Sequence, residues 1–257
     1  MKILLTNDDG YFADGLLSLA AALSEDNEVV VCAPKNQKSG AGHSLSFHQT
    51  LAFERIDTEM LTQNRSFHLS VPCFAVDGTP SDCVKFAVEH LCKDTKFDVC
   101  ISGINDVLNV GSDTIYSGTF GSAEEGTILG IKSIAFSTVS GKGNFDFHIQ
   151  FLKDNLQKLL SSIAPNVTIN INVPSMKKEE INGVAVVPLG IRRYNDWYEK
   201  NSESRFQLTG YPIDCSDSDT VNDCKMSDCG YITITPVNVI ATSTNQLKNL
   251  ELLEFEL

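Results

Sequence analysis

The sequence predicts an α/β fold: a Rossmann-like, doubly wound and mostly parallel sheet, followed by a β-rich C-terminal extension. Three observations support this prediction. Short apolar runs alternate with helical patterns through the first 174 residues, as in β-α-β units. Within each run the apolar residues are contiguous, which is typical of strands that are buried on both faces. After Pro174 the strand patterns become shorter and less regular.

The first β-α-β unit is the clearest. The apolar run KILLT ends abruptly at NDDG, and EVVVCAP forms a second run that ends at Pro34. Between them, Leu16, Leu19, Ala20 and Leu23 recur at the spacing of one helix face. We expect the connection to be right-handed, as nearly all such connections are.

The later elements follow from the same patterns. Short strands are predicted at residues 45–53, 67–69 and 73–76. A helix should begin at Pro80 with Thr79 as its N-cap, because proline suits the first helical position. The remaining core elements alternate between strands and helices: FDVCIS, a helix over 118–129, IKSIAFS, a helix over 145–160, and VTININVP.

We interpret residues 1–174 as the core and residues 175–257 as the extension. The extension contains two strand patterns, GVAVVPL and YITITPV, and is a candidate arm for contacts between subunits. No internal repeat and no long low-complexity linker separates independent domains.

Composition excludes several classes of function. The net charge of −13 argues against binding of nucleic-acid duplexes, whose phosphates attract Lys and Arg. It does not exclude a small phosphorylated substrate, because a metal and a few backbone N–H groups hold one phosphate locally. No apolar run approaches the roughly 20 residues of a membrane helix. The first residues lack the pattern of a signal peptide, so we expect a cytoplasmic protein with no membrane association.

Eight cysteines are present. Several lie inside apolar runs and are expected to be buried thiols. Cys215, Cys224 and Cys229 lie in an acidic tract, DCSDSDTVNDCKMSDCG. A zinc site there is a minor alternative, since the tract has neither a CxxC pair nor a nearby histidine.

A metal site is indicated where the strands end. Ligands of open parallel sheets bind outside the carboxyl ends of the strands, and Asp8 and Asp9 directly follow the first strand. Adjacent carboxylates repel each other unless a cation or a proton lies between them. Ser39 and Asn105 follow two other strands and would complete an oxygen-rich site of the kind that suits Mg²⁺, Mn²⁺ or Ca²⁺. The alternative is an ordinary turn in which Asp8 caps a helix.

A phosphate site is indicated at the start of the helix predicted over 118–129. Ser117, Gly118 and Thr119 begin that helix, where free N–H groups and the helix dipole favour an anion. His43, four residues after Ser39, is a candidate general acid or phosphate ligand. Ordinary N-capping and a solvated loop histidine are the alternatives. The chain has no GxxxxGK[ST] loop and no GxGxxG after its first strand.

Five ordered motifs resemble those of the SurE (survival protein E) family of nucleotidases. They are NDDG at 7–10, KSGAGHSLS around Ser39, DGTPSDCV at 77–84, SGIN at 102–105 and IYSGTFGSAEEG at 115–126. The later segment GYITITP is also similar to that family's C-terminal strand. The resemblance implies hydrolysis of nucleoside monophosphates to nucleoside and phosphate, with one Mg²⁺ or Mn²⁺ per subunit. It also implies a homodimer or homotetramer.

The resemblance assigns roles to residues that match its motifs. The metal ligands would be Asp8, Asp9, Ser39 and Asn105. The residues beside the phosphate would be Asn109, Ser117, Gly118 and Thr119. Either aspartate is a catalytic candidate, because a carboxylate can activate the attacking water or attack phosphorus itself. The position of the phosphate, 5′ or 3′, stays open.

Three other classes of protein are alternatives. A haloacid-dehalogenase phosphatase needs Asp-x-Asp, whereas these aspartates are adjacent. A receiver domain needs a phospho-accepting Asp after a later strand, where this chain has Ser-Gly-Ile-Asn. A non-catalytic nucleotide-binding module remains the alternative, and it would release no phosphate.

Overall fold

The computed structural model describes residues 1–139, 145–174 and 176–241. Within them the strands and α-helices are, in chain order, β1 (Lys2–Thr6), α1 (Asp14–Ser24), β2 (Glu28–Pro34), β3 (Phe53–Arg55), α2 (Thr58–Thr62), β4 (Cys73–Val76), α3 (Pro80–Phe86), β5 (Val99–Asn105), α4 (Gly118–Ile128), β6 (Lys132–Thr138), α5 (Asp146–Ser162), β7 (Val167–Val173), β8 (Val184–Val186), β9 (Tyr194–Ser202), β10 (Arg205–Pro212), α6 (Asp223–Asp228) and β11 (Ile232–Asn238). A π-helical turn, Ala87–Leu91, continues α3.

Within the described part of the chain, the main sheet has nine strands in the order β3-β4-β2-β1-β5-β6-β7-β11-β8. The six strands from β4 to β7 are mutually parallel. The chain runs from β1 outward through β2 to β4, and then returns to the other side of β1 to begin β5. Strand order therefore reverses between β1 and β5, and the crevice for a ligand lies at their carboxyl ends.

Helices cover both faces of the parallel strands. Helix α1 contacts α5 on one face, and α3 contacts α4 on the other. The leucines of α1 at positions 16, 17, 19 and 23 are buried in the largest apolar cluster. Full burial of one such side chain stabilises the fold by about 1.5–3 kcal/mol. The mostly parallel, doubly covered sheet that the apolar pattern predicts is confirmed.

Two predicted strands are absent from the structure. Residues 45–52 and 67–69 lie in turns and irregular segments, and β3 begins only at Phe53. Strand β3 is at the edge of the sheet and pairs with β4 at three positions, so the apolar residues before Phe53 have no strand to pair with. A short helix, α2, was not predicted; it is capped by Asp57, whose side chain accepts hydrogen bonds from two backbone N–H groups.

The segment after residue 174 has two parts. Strands β8 and β11 extend the main sheet, with β11 antiparallel to β7. Strands β9 and β10 form a separate hairpin whose side chains are almost all exposed, including Trp197 and Tyr198. A division into domains at residue 174 stays a prediction.

Among the described residues, no helix is both long and apolar enough to cross a membrane.

Candidate metal and phosphate site

The turn after β1 presents two carboxylates at the crevice. The Asn7 side chain is fully buried and makes two bonds across the turn: its amide donates to the Gly10 carbonyl at 3.0 Å, and its oxygen accepts from the Gly10 N–H at 3.1 Å. Gly10 has φ +103°, a conformation that favours glycine. This rigid turn leaves Asp8 buried and Asp9 half-buried at the end of β1.

Both carboxylates are short of compensating positive charge. Burial raises the pKa of Asp8, and a hydrogen bond from Thr119 opposes that rise. Burial and the neighbouring Asp8 raise the pKa of Asp9 to about 6, and a hydrogen bond from Gln37 partly opposes this. Adjacent acids with raised pKa values are the electrostatic signature of a site that a cation would stabilise.

Ser39 is brought to this pair by its own segment. The Lys38 N–H donates to the Asp8 carbonyl at 2.7 Å, which fixes the segment on the turn. The Gln37 side-chain amide then donates both to Asp9 Oδ1 at 3.3 Å and to Ser39 Oγ at 3.0 Å. Gln37 therefore holds the Ser39 hydroxyl beside Asp9.

Asn105 reaches the same edge from the neighbouring strand. Strands β1 and β5 pair with Thr6 opposite Ser102, and Asn105 is the last residue of β5, so it lies at the carboxyl ends of the strands, as Asp8 and Asp9 do. The Asn105 amide nitrogen donates to the Val107 carbonyl at 2.5 Å, so its side-chain oxygen is the atom that can serve as a ligand.

The donor set is therefore two carboxylates, a hydroxyl and a carboxamide, all of them oxygens. Such a set fits a hard cation such as Mg²⁺ or Mn²⁺. Over residues 1–139, 145–174 and 176–241, no three His, Cys, Asp or Glu side chains converge as a metal cluster. A zinc site in the tract that contains Cys215, Cys224 and Cys229 is thus not supported, and all three are free thiols.

The N-terminus of α4 faces Asp8. Ser117 caps this helix by accepting a hydrogen bond from the Phe120 N–H at 3.0 Å. The Thr119 hydroxyl donates to Asp8 Oδ1 at 2.6 Å. A Cβ on Gly118 would lie 2.8 Å from the Asp8 Cβ, so only glycine permits this approach. The helix end that can bind an anion thus adjoins the pair that can bind a cation.

Asn109 is anchored in the interior. Its N–H donates to Asn172 Oδ1 at 2.7 Å, and its carbonyl accepts from the side-chain amides of Asn170 and Asn172 at 2.8 and 3.2 Å. Its own side chain donates to Ser137 Oγ at 2.8 Å. These contacts fix the segment that follows β5, and a contact of Asn109 with phosphate stays a prediction.

His43 has other partners. Its Nε2 lies 2.9 Å from Glu125 Oε2, and its Nδ1 lies 3.4 Å from Glu124 Oε2. Hydrogen bonds to the two carboxylates raise the pKa of His43 to about 9, and the bond to Glu124 has the larger effect. The ring is therefore cationic at neutral pH. With both ring nitrogens engaged, these contacts favour a structural role, and the predicted phosphate contact of His43 stays a prediction.

A wider groove elsewhere lacks this chemistry. It has a volume of about 1020 Å³ and lies between α1, residues 65–68 and α5. Its acidic groups include Asp14, paired with Arg65, and Glu25, which lies 2.7 Å from Lys153. These ion pairs offset the charge of two of its carboxylates, whereas the pKa values of Asp8 and Asp9 are raised, so we place the candidate site at β1 and β5.

Sequence reasoning missed Gln37, Glu125 and Asn172. A local signal existed for Gln37, because it lies two residues before Ser39. No local signal existed for Glu125 or Asn172, which lie 82 and 63 residues from their partners.

Comparisons with known proteins point to one family. The family model for survival protein SurE matches residues 3–196. The 5′-nucleotidase SurE of Alkaliphilus metalliredigens is 36% identical over 261 residues, covering 98% of this chain and 99% of the relative. That of Vibrio cholerae is 35% identical over 255 residues, covering 98% and 96%. The crystal structure of the SurE protein from Aquifex aeolicus superposes with a TM-score of 0.79 at 33% identity, covering 98% of this chain and all of that one.

Proposed function

Because this chain belongs to the SurE family, we propose that it is a nucleotidase that hydrolyses nucleoside 5′-monophosphates to nucleoside and phosphate. The observation that carries the proposal is the 2.6 Å hydrogen bond from Thr119 to Asp8. It links the carboxylate pair, which can bind a divalent cation, to a helix N-terminus, which can bind a phosphate. A site that hydrolyses a phosphate monoester with the help of a divalent cation needs both. The relatives from Alkaliphilus metalliredigens and Vibrio cholerae are described as 5′-nucleotidases, which supports the same reaction class.

The residues that would hold the cation are Asp8, Asp9, Ser39 and Asn105. The raised pKa values of the two aspartates support this assignment, since bound Mg²⁺ or Mn²⁺ would offset their repulsion. When bound, the cation supplies positive charge that stabilises the charge developing on the phosphate oxygens.

The chain's own groups would orient the phosphate. The N–H groups of Gly118 and Thr119 begin α4 and point toward Asp8, where they oppose the rise in its pKa. A phosphate in front of this helix end would share these donors and the helix dipole. Asp9, with a pKa raised to about 6, is mostly ionised at neutral pH and can accept a proton from an attacking water.

Direct attack by an aspartate is the competing chemistry. The configuration at phosphorus, followed over one turnover with a nucleotide whose phosphate is made chiral with sulfur and oxygen isotopes, separates the two routes. Attack by water is a single displacement and should invert the configuration. Attack by Asp8 or Asp9 forms an aspartyl phosphate that water then hydrolyses at phosphorus, and these two displacements would retain the configuration, which would contradict direct attack by water.

The activity is tested with 5′- and 3′-nucleoside monophosphates, assayed with Mn²⁺, with Mg²⁺ and with EDTA. We expect phosphate release that EDTA abolishes, and the panel also decides whether 3′-phosphates are substrates. Asp9→Asn should lower kcat/KM by at least about 100-fold, equivalent to about 3 kcal/mol. Asp26→Asn is the matched control, because Asp26 is exposed and lies beyond the end of α1, away from the crevice.

Two outcomes would contradict the assignment. Asp9→Asn activity within tenfold of wild type would remove Asp9 from the catalytic centre. Absence of release from every nucleotide with either metal would favour the non-catalytic nucleotide-binding module.

We also propose that the protein is a cytoplasmic homodimer or homotetramer. The β9–β10 hairpin supports assembly, since it exposes large apolar side chains such as Trp197, Tyr198, Phe206 and Leu208. Light scattering at micromolar concentration should give twice or four times the chain mass of 28.1 kDa, and a monomer alone would contradict the proposal.

A further inference from the structure

The segment 37–43 carries Ser39 between two backbone attachments. On one side the Lys38 N–H donates to the Asp8 carbonyl at 2.7 Å. On the other side the Gly42 N–H donates to the Tyr116 carbonyl at 2.9 Å. Ser39 itself is exposed, so its position depends on how firmly these attachments hold.

Beside the second attachment the segment lies directly against α4, which begins two residues after Tyr116. A Cβ on Gly121 would lie 2.7 Å from the Gly42 carbonyl oxygen and 2.8 Å from the His43 Cα. The backbone of the segment therefore rests on the helix surface, and the His43 side chain reaches the next turn of the same helix, where Glu124 and Glu125 lie.

His43 and its carboxylate partner Glu125 have little contact with water. The His43 side chain is 25% exposed and that of Glu125 is 3% exposed. Glu125 Oε1 also accepts from Lys85 Nζ of α3 at 2.9 Å. Charge-assisted hydrogen bonds with little access to water are stronger than exposed ones. The charged groups around His43 are thus Glu124 and Glu125 of α4, with Lys85 of α3 beyond Glu125.

We propose that His43 is a positioning residue whose bonds to Glu124 and Glu125 fix segment 37–43 on α4 and so hold the Ser39 hydroxyl beside Asp9. The proposal rests on the cation site described above. His43 then acts on cation binding, and it does not touch the substrate. The raised pKa of His43 is consistent with this role, because the ring stays cationic between the two carboxylates at neutral pH.

The test combines three variants and two direct measurements. The variants are His43→Ala, His43→Gln, which keeps one N–H donor, and His68→Ala as the matched control. The His68 side chain is 72% exposed and lies 4.0 Å from Glu59. Mn²⁺ binding is measured by calorimetry without nucleotide, and amide hydrogen exchange is followed over residues 37–43.

We expect His43→Ala to raise the Kd for Mn²⁺ about tenfold, the loss equivalent to one charge-assisted hydrogen bond. Exchange over 37–43 should accelerate while that of β1 and β5 stays unchanged. His43→Gln should recover part of both effects, and His68→Ala should show neither. At saturating Mn²⁺ the kcat of His43→Ala should return to within about threefold of wild type.

Three results would overturn the proposal. Unchanged Mn²⁺ affinity and unchanged exchange in His43→Ala would show that the segment needs no such bond. A large loss of kcat at saturating Mn²⁺ with unchanged Kd would make His43 a general acid or phosphate ligand. A wild-type protein that binds no Mn²⁺ would remove the site on which the proposal depends.

A failure of the proposed nucleotidase activity can be distinguished from a failure of the role proposed for His43. If wild type binds Mn²⁺ but releases no phosphate from nucleotides, binding and exchange still decide the role of His43. If His43→Ala does not fold, the same two measurements on His43→Gln decide it.

Discussion

The hydrogen bond between Thr119 and Asp8 gives the sharpest test of the site. Thr119→Val removes the hydroxyl and nearly preserves the shape of the side chain. Thr119 is fully buried and Asp8 is 4% exposed, so little water can replace the lost donor. A hydrogen bond to a buried charged group contributes about 1.5–3 kcal/mol, and we expect a loss of about 2 kcal/mol in the free energy of unfolding at pH 8.

The loss should depend on pH in a defined direction. The Asp8 carboxylate needs the Thr119 donor when it is ionised, and much less when it is protonated. Because the pKa of Asp8 is raised from its ordinary value of 3.8, protonation begins at a higher pH than for an exposed aspartate. The difference between wild type and Thr119→Val should therefore be largest at pH 8 and shrink as the pH falls through the Asp8 pKa.

Urea unfolding in EDTA at pH 8, 6.5 and 5 measures this difference without bound metal. Thr127→Val is the matched control, since Thr127 lies on the same helix and its buried hydroxyl bonds a neutral partner, Thr168 Oγ1, at 2.7 Å. The control should lose about 0.5–1.5 kcal/mol at every pH. A Thr119→Val loss that is equal to the control, or constant with pH, would refute the reasoning.

The remaining predictions concern packing, pH and loop anchoring. Gly118→Ala places a Cβ 2.8 Å from the Asp8 Cβ and should destabilise the fold by about 1–3 kcal/mol; an unchanged melting temperature would contradict this. The folded-state pKa of His43, about 9 against an ordinary 6.5, means that its ion pairs stabilise the fold fully below pH 6.5 and are lost as pH rises through 9. The free energy of unfolding of wild type should thus exceed that of His43→Gln by about 1–2 kcal/mol at pH 6 and should equal it at pH 10. A difference in urea unfolding that stays constant with pH would exclude the ion pairs. Asn172→Leu removes both hydrogen bonds to the Asn109 backbone. It should lower the free energy of unfolding by about 2 kcal/mol and raise the KM for nucleotide. Unchanged stability and KM would show that these bonds are unnecessary.

The sequence determined the elements whose signals are local. The run EVVVCAP becomes β2 with the same bounds, because contiguous apolar residues form a strand buried on both faces. Thr79 caps α3 as predicted, with Pro80 at the start and a reciprocal bond to Asp82. The strand predicted at 45–53 was wrong except for Phe53, where β3 begins, and the strand predicted at 67–69 was wrong. An apolar segment becomes a strand only where a neighbour offers backbone groups to pair with.

For the candidate site too, the sequence indicates some residues, and only the structure shows their contacts. Asp8 and Asp9 could be singled out from the sequence, because two adjacent acids after a buried strand mark a strand end at a ligand edge. Their approach to α4 depends on the 2.6 Å contact with Thr119, which lies 111 residues from Asp8. The partners of His43 and Asn109 lie 82 and 63 residues away. Such pairs depend on how helices and strands pack, and local sequence patterns carry no record of that packing. The sequence therefore indicated which groups are candidates for the chemistry, and only the tertiary structure decided which of them touch.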